Sequence, residues 1–134
     1  MLRTVFTRVV MPGLAVAALS LGNSGMVLAG PGASISVEGK ADFVAVTDIN
    51  VTVDANCGAG STVGEVSVSA SQSSATGNAT GFGYRTFVSD GTRQQVVVTV
   101  SGAGWNVGPA SASAFLYCGS QFTDQDLGAR IDVQ

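Results

Sequence analysis

Three carboxylates near the end of the chain are the first candidates for chemistry. Asp124 and Asp126 stand in Thr123-Asp124-Gln125-Asp126, and Asp132 follows. Such a cluster could feed a calcium loop, because a hard cation gathers several oxygen ligands in a compact turn. The spacing supplies only two ligands and no bidentate Glu follows, so a solvated acidic loop is the expectation. A glycosidase would need two carboxyl groups facing each other across a cleft. The two glutamates, Glu38 and Glu65, offer no such pattern. The chain contains no histidine, which removes Ser-His-Asp and Cys-His catalysis and histidine-based zinc or copper sites. Its glycines punctuate strand-like segments and form no phosphate-cradling loop. No catalytic residue, cofactor, cofactor-binding residue or metal site is expected.

Aromatic side chains are the remaining candidates for recognition. Trp105 lies in the glycine-rich link Gly102-Ala103-Gly104-Trp105-Asn106-Val107-Gly108, where a loop aromatic can stay partly exposed. Trp105 and Tyr84 are the candidate ligand-surface residues. Phe82 and Phe115 are expected to fill the core.

The elements that position these residues begin after a distinct leader. Arg3 and Arg8 give a basic start, Val9 to Leu21 is apolar, and Val27-Leu28-Ala29 precedes Gly30 with compact side chains. That order is a secretory signal. The apolar run is about 13 residues, short of the roughly 20 that span a bilayer. The expected organisation is a signal peptide over 1–29, cleaved after Ala29, and one domain over 30–134 that is secreted. Gly30 and not Cys stands directly after the cleavage site, which argues against a lipoprotein. Loss of Arg3 and Arg8 leaves four basic residues (Lys40, Arg85, Arg93 and Arg130) against nine acidic ones, a formal charge of −5. Nucleic acid and anionic membrane surfaces both select clustered Lys and Arg, so neither is an expected partner.

Within 30–134, β-branched residues alternate with polar ones. Ile49, Val51, Val53 and Ala55 share one face, and Cys57 falls in phase with them. Val66, Val68 and Ala70 repeat the pattern, as do Ala112, Ala114 and Leu116, with Cys118 in phase. Val96 to Val100 reads as a central strand. Ser89-Asp90-Gly91-Thr92 reads as a hairpin turn, and residues 71–81 and 119–126 as polar loops. Leu127, Ala129, Ile131 and Val133 read as one alternating face. Seven or eight short strands without helical periodicity predict an all-β, Ig-like antiparallel sandwich. Cys57 ends the second strand and Cys118 the penultimate one, so both point inward and are expected to form a disulfide. No Trp sits on the third strand, and Tyr117 is at the wrong offset for a tyrosine corner. The architecture is therefore Ig-like without being a true immunoglobulin domain.

The segments Ser89-Asp90-Gly91-Thr92-Arg93-Gln94, Val98-Thr99-Val100 and Trp105-Asn106-Val107-Gly108-Pro109-Ala110, with Ser71-Gln72, resemble a small exported actinobacterial family of unknown function. The likeness covers roughly residues 48–118. It implies a β-sandwich fold and an extracellular location, and no activity. This chain has Ser89 where that family often has Cys.

Export, a sandwich scaffold and absent catalytic groups point to a non-catalytic, monomeric binding or interaction module, with a protein, glycan or small molecule as ligand. A small-molecule carrier apoprotein and a secreted inhibitor are the alternatives. A carrier would hold a deep pocket between a sheet face and its loops.

Overall fold

The structure is a computed structural model that describes residues 32–60, 62–74 and 77–134. The expected signal peptide over 1–29 lies outside these residues. Seven strands follow one another: β1 (Ser34–Ala45), β2 (Asp48–Asn56), β3 (Thr62–Ser74), β4 (Gly77–Ser89), β5 (Gln94–Gly102), β6 (Gly108–Cys118) and β7 (Gln121–Val133). No helix occurs among the described residues.

The alternation that predicts the strands also builds the core. Ile49, Val51, Val53 and Ala55 of β2 are fully buried, as are Val66 and Val68 of β3, Val98 and Val100 of β5, and Ala114 and Leu116 of β6. Their polar neighbours point outward, as a two-residue period requires. Cys57, just past β2, and Cys118, at the end of β6, are bonded.

The strands close into a barrel in the order β1-β2-β5-β4-β3-β6-β7. The two separate sheets expected of a sandwich are thus one continuous sheet. Its ladders are uneven. β1-β2-β5 and β4-β3-β6-β7 are long antiparallel runs. Two short seams join them. Parallel pairs Lys40↔Asp132 and Ala41↔Val133 join β1 to β7, and Gly81↔Gly102 and Phe82↔Ser101 join β4 to β5. Beyond the β4–β5 seam, side chains occupy the edge groups: Arg85 Nη1 donates to the Val97 carbonyl at 3.1 Å and Gln94 Nε2 to that of Val88 at 2.9 Å. Such plugs blunt an edge that could otherwise template another strand.

Gly83 permits the close approach at that seam. A Cβ there would lie 2.0 Å from the Thr99 carbonyl oxygen, a backbone atom that cannot swing aside. Gly83→Ala is expected to cost about 1–3 kcal/mol through forced backbone displacement, read as a lowered urea midpoint. Gly39→Ala, whose Cβ would meet nothing within 4 Å, is the matched control and should change stability by less than about 0.5 kcal/mol.

Three sequence expectations are corrected by these ladders. Residues 71–74 and 77–81 are strand and not loop: β3 and β4 pair without a break from Thr62↔Ser89 to Ser74↔Gly77. Residues 119–126 are mostly strand, because Gly119 and Ser120 alone turn the β6–β7 hairpin, with φ of 61° and 73°. Both central residues in the left-handed region is what the tightest hairpins need. Ser89–Thr92 does turn the chain, with Gly91 at φ 91°. It leads from one long run into the other, however, and no β4–β5 ladder flanks it.

That corner is held by Asp90. Its Oδ1 accepts from the Thr92 backbone N–H at 3.0 Å, the Thr92 hydroxyl at 2.6 Å and Gln94 Nε2 at 3.2 Å. The Thr92 hydroxyl bond first, and the other two after it, hold the Asp90 carboxyl below its ordinary value of 3.8. A carboxyl depressed on folding stabilises above its unfolded value and loses that contribution as pH falls through the folded one. The urea midpoint should therefore decline from about pH 5 downward, and the decline should be shallower in Asp90→Asn.

Candidate functional site

The four-strand run β4-β3-β6-β7 presents one broad outer face, and the register fixes what it carries. Tyr84 (β4), Ser67 (β3) and Phe115 (β6) lie in one row across the sheet; Phe82, Ser69 and Ser113 lie in the next; Thr80, Ser71 and Ser111 in the one after. Rows of this kind bring side chains about 4.5–5.5 Å apart at Cβ between neighbouring strands. The face grades from aromatic at the disulfide end to hydroxyl-rich at the other.

The aromatic end is open to solvent. Tyr84 is 63% exposed and Phe82 56%, with ring centroids 6.5 Å apart. Val63 and Val88 pair beyond them and are also exposed. Across the sheet, Tyr117 and Phe122 meet edge to face at 5.8 Å. Tyr84, a candidate ligand-surface residue in the sequence, is thus exposed. Phe82 is not in the core, because even-numbered β4 residues face outward while Ala79 and Ser89 face in. Phe115 is half-buried on the outer face, opposite in phase to Ala114 and Leu116.

Two shallow grooves cut the hydroxyl-rich end. One, of about 270 Å³, lies over Ser69, Ser71, Thr80, Ser111 and Ser113. The other, of about 430 Å³, shares Ser71 and Ser111 and runs on to Gly128 and Arg130. Ser71 Oγ and Ser111 Oγ stand 3.4 Å apart between them. Both grooves lie outside the barrel, whose interior is packed with apolar side chains.

Trp105 does not belong to this face. It is fully buried and is the largest buried side chain among the described residues. Its link is pinned from both sides. Gly104 N and Trp105 N both donate to the Val46 carbonyl, at 2.9 and 3.0 Å. Gln72, itself buried, accepts from Asn106 N at 2.8 Å and donates from Nε2 to the Asn106 carbonyl at 2.8 Å. The indole lies against Gly81, where a Cβ would come within 3.0 Å of Cζ2. Burial of an apolar ring outweighs the loop's polarity once the backbone donors and acceptors around it are satisfied. The sequence reading singles out Gln72 only as part of the Ser71-Gln72 motif and places it in a loop, though it continues the inward phase of Val66, Val68 and Ala70.

Asp124 and Asp126 also take a different role. Gly128, at φ 63°, forms a bulge in β7 that reverses the strand's phase, as an extra residue must. Leu127 therefore points out and Asp126 in, against the single alternating face expected over 127–133. Asp124 Oδ2 accepts from Ile35 N at 3.1 Å and Asp126 Oδ2 from Val37 N at 2.9 Å. The two carboxylates satisfy β1 amides where the β1–β7 ladder is missing. Asp132 sits on the opposite side and accepts from Gln134 Nε2 at 3.3 Å, so the three acids do not converge. Among the described residues, no group of three or more His, Cys, Asp or Glu is placed to hold a metal ion. No helix among them is long and apolar enough to cross a membrane.

No protein-family model and no curated protein matches the chain.

Proposed function

We propose that this chain is an exported, non-catalytic binding module that recognises its partner with the outer face of β4-β3-β6-β7. The exposure of Phe82 and Tyr84 side by side on a strand carries this reading. Single exposed apolar residues are ordinary; a contiguous group rimmed by polar residues marks an interaction site. Aromatic anchors dominate binding energy because they bury much area at low entropic cost.

The scaffold reading is an Ig-like sandwich whose edges are sealed. β1-β2-β5 and β4-β3-β6-β7 act as its two faces, and Cys57–Cys118 bridges them. The disulfide fits an oxidising compartment, and the Arg3, Arg8, Val9–Leu21 and Ala29 pattern directs export. The likeness to the exported actinobacterial family is kept at this level. Two of its motifs meet here, since Ser71-Gln72 supplies the side chain that latches the Trp105-Asn106 segment.

Co-sedimentation with cell envelopes of the producing cell tests the reading. The mature domain should be retained, and Phe82→Ala/Tyr84→Ala should weaken retention by about tenfold or more, the loss of roughly 1.4 kcal/mol. Equal retention of the double variant would refute the assignment of this face.

A further inference from the structure

We infer that the ligand of this face is a neutral, extended polysaccharide chain, laid from the aromatic end onto the serine floor. The inference rests on the binding-face reading above and adds the chemistry of the partner.

The argument begins with charge. The region 30–134 carries nine acidic and four basic residues, yet among the described residues Arg130 is the sole charged side chain lining the two grooves, and the aromatic end carries one acid, Glu65, in the row between Thr86 and Tyr117. Asp132, two residues on in β7, shares the outward phase of Arg130. A cationic partner finds no carboxylate in the grooves. An anionic one finds a single guanidinium on a domain of net negative charge. The electrostatic match is to an uncharged ligand.

The side chains then select its chemistry. Ser69, Ser71, Ser111 and Ser113 stand on the sheet with Thr80 beside them. Each hydroxyl both donates and accepts, which suits a ligand that is itself a dense array of hydroxyls. Ser113 Oγ accepts from Gly128 N at 2.9 Å, which leaves its own O–H able to donate to a ligand oxygen. A protein partner of the usual kind wants a desolvated apolar centre and a polar rim; here the polar groups form the floor of the grooves. Sugar rings expose C–H faces along with their hydroxyls, and flat aromatic rings cover such faces. Tyr84 and Phe115 flank Ser67 from β4 and β6, two strand spacings or about 10 Å apart. Two rings at that separation, leading into two contiguous grooves, fit a chain of linked rings better than one isolated sugar.

The test is native affinity electrophoresis of the mature domain through gels containing laminarin, galactomannan, arabinoxylan or polygalacturonate. Retardation by at least one of the three neutral polymers is expected. Tyr84→Ala should weaken it about tenfold or more, and Ser69→Ala/Ser71→Ala should weaken it as well. The affinity should not change between low and high salt, since screening acts only on charged contacts. Trp105 emission, from a buried ring off this face, verifies that each variant is folded. Retardation by polygalacturonate alone, no retardation by any neutral polymer, or retardation unaffected by Tyr84→Ala would overturn the inference. So would concentration-dependent dimerisation abolished by Tyr84→Ala, which would make a second copy the occupant. If envelope retention depends on Phe82 and Tyr84 while all three neutral polymers fail, the polysaccharide inference falls and the binding face stands. If retention is also insensitive to those residues, both fall.

Discussion

Replacing both bridge cysteines, Cys57→Ala/Cys118→Ala, is expected to lower the unfolding free energy by about 4 kcal/mol, read as a large drop in the urea midpoint under non-reducing conditions. The bridge joins residues separated by 61 positions in sequence. Closing such a loop restricts the unfolded chain by about 4 kcal/mol in the chain-entropy model. A second consequence follows from its place. Cys57 follows β2 and Cys118 ends β6, so the bond ties the two long runs together at one end of the barrel. At that end β4 and β5 have no ladder between them. Cys57 N donates to the buried Ser89 hydroxyl at 3.1 Å, which links the same region to the end of β4. Loss of the bridge should therefore loosen this end first. Amide exchange at Cys57 and Ser89 should accelerate more than exchange at Val51 or Val98, whose strands are paired along their length. Uniform acceleration would mean that the bond acts only through the unfolded state.

The elements legible in the sequence are those whose two faces differ. β2 is legible because Ile49, Val51, Val53 and Ala55 alternate with Asn50, Thr52 and Asp54; β5 and β6 show a weaker contrast, with Val97, Phe115 and Tyr117 on their outer faces. The pairing of Cys57 with Cys118 follows from their phase. The Ser71–Gly81 stretch was opaque, since Gln72, Ala79 and Gly81 on its inner side are polar or small. Its strands are held by cross-strand register and by Gln72, which is a tertiary fact. Closure was opaque for a related reason. It depends on Gly81, Gly83 and Gly102, where the missing Cβ lets one backbone approach another from far along the chain. A glycine in a strand pattern signals close approach or a bulge, but not the partner. The bulge at Gly128 reversed the phase of β7 and carried Asp124 and Asp126 from a presumed acidic loop to the β1 seam. On the outer face, Phe82 reads as core in the sequence because a large aromatic in a strand pattern is more often buried; its outward phase on β4, shared with Tyr84, becomes visible only with the register.

Trp105→Ala is the second substitution of large expected effect, at about 3–5 kcal/mol. The indole belongs to the one buried core cluster, whose side chains cannot readily collapse into its volume because those of β2 and β5, such as Val51 and Val98, are held in paired ladders. It also closes the link between β5 and β6, whose backbone bonds to Val46 and Gln72 depend on that segment keeping its path. Trp105→Phe separates these contributions. The buried Nε1 donor has no hydrogen-bond partner in the structure, and an unsatisfied buried donor costs roughly 1–3 kcal/mol. Phe removes that cost while losing part of the ring's packing. The phenylalanine variant should therefore fall well short of the alanine loss in urea unfolding. Gln72→Ala supplies the third measurement. It removes the latch without touching the ring, and should cost about 1–3 kcal/mol by leaving the Asn106 N–H and carbonyl without that partner. Should Trp105→Phe prove as damaging as Trp105→Ala, the indole nitrogen would be making a bond that holds the link, and the burial of Trp105 would rest on hydrogen bonding as well as packing.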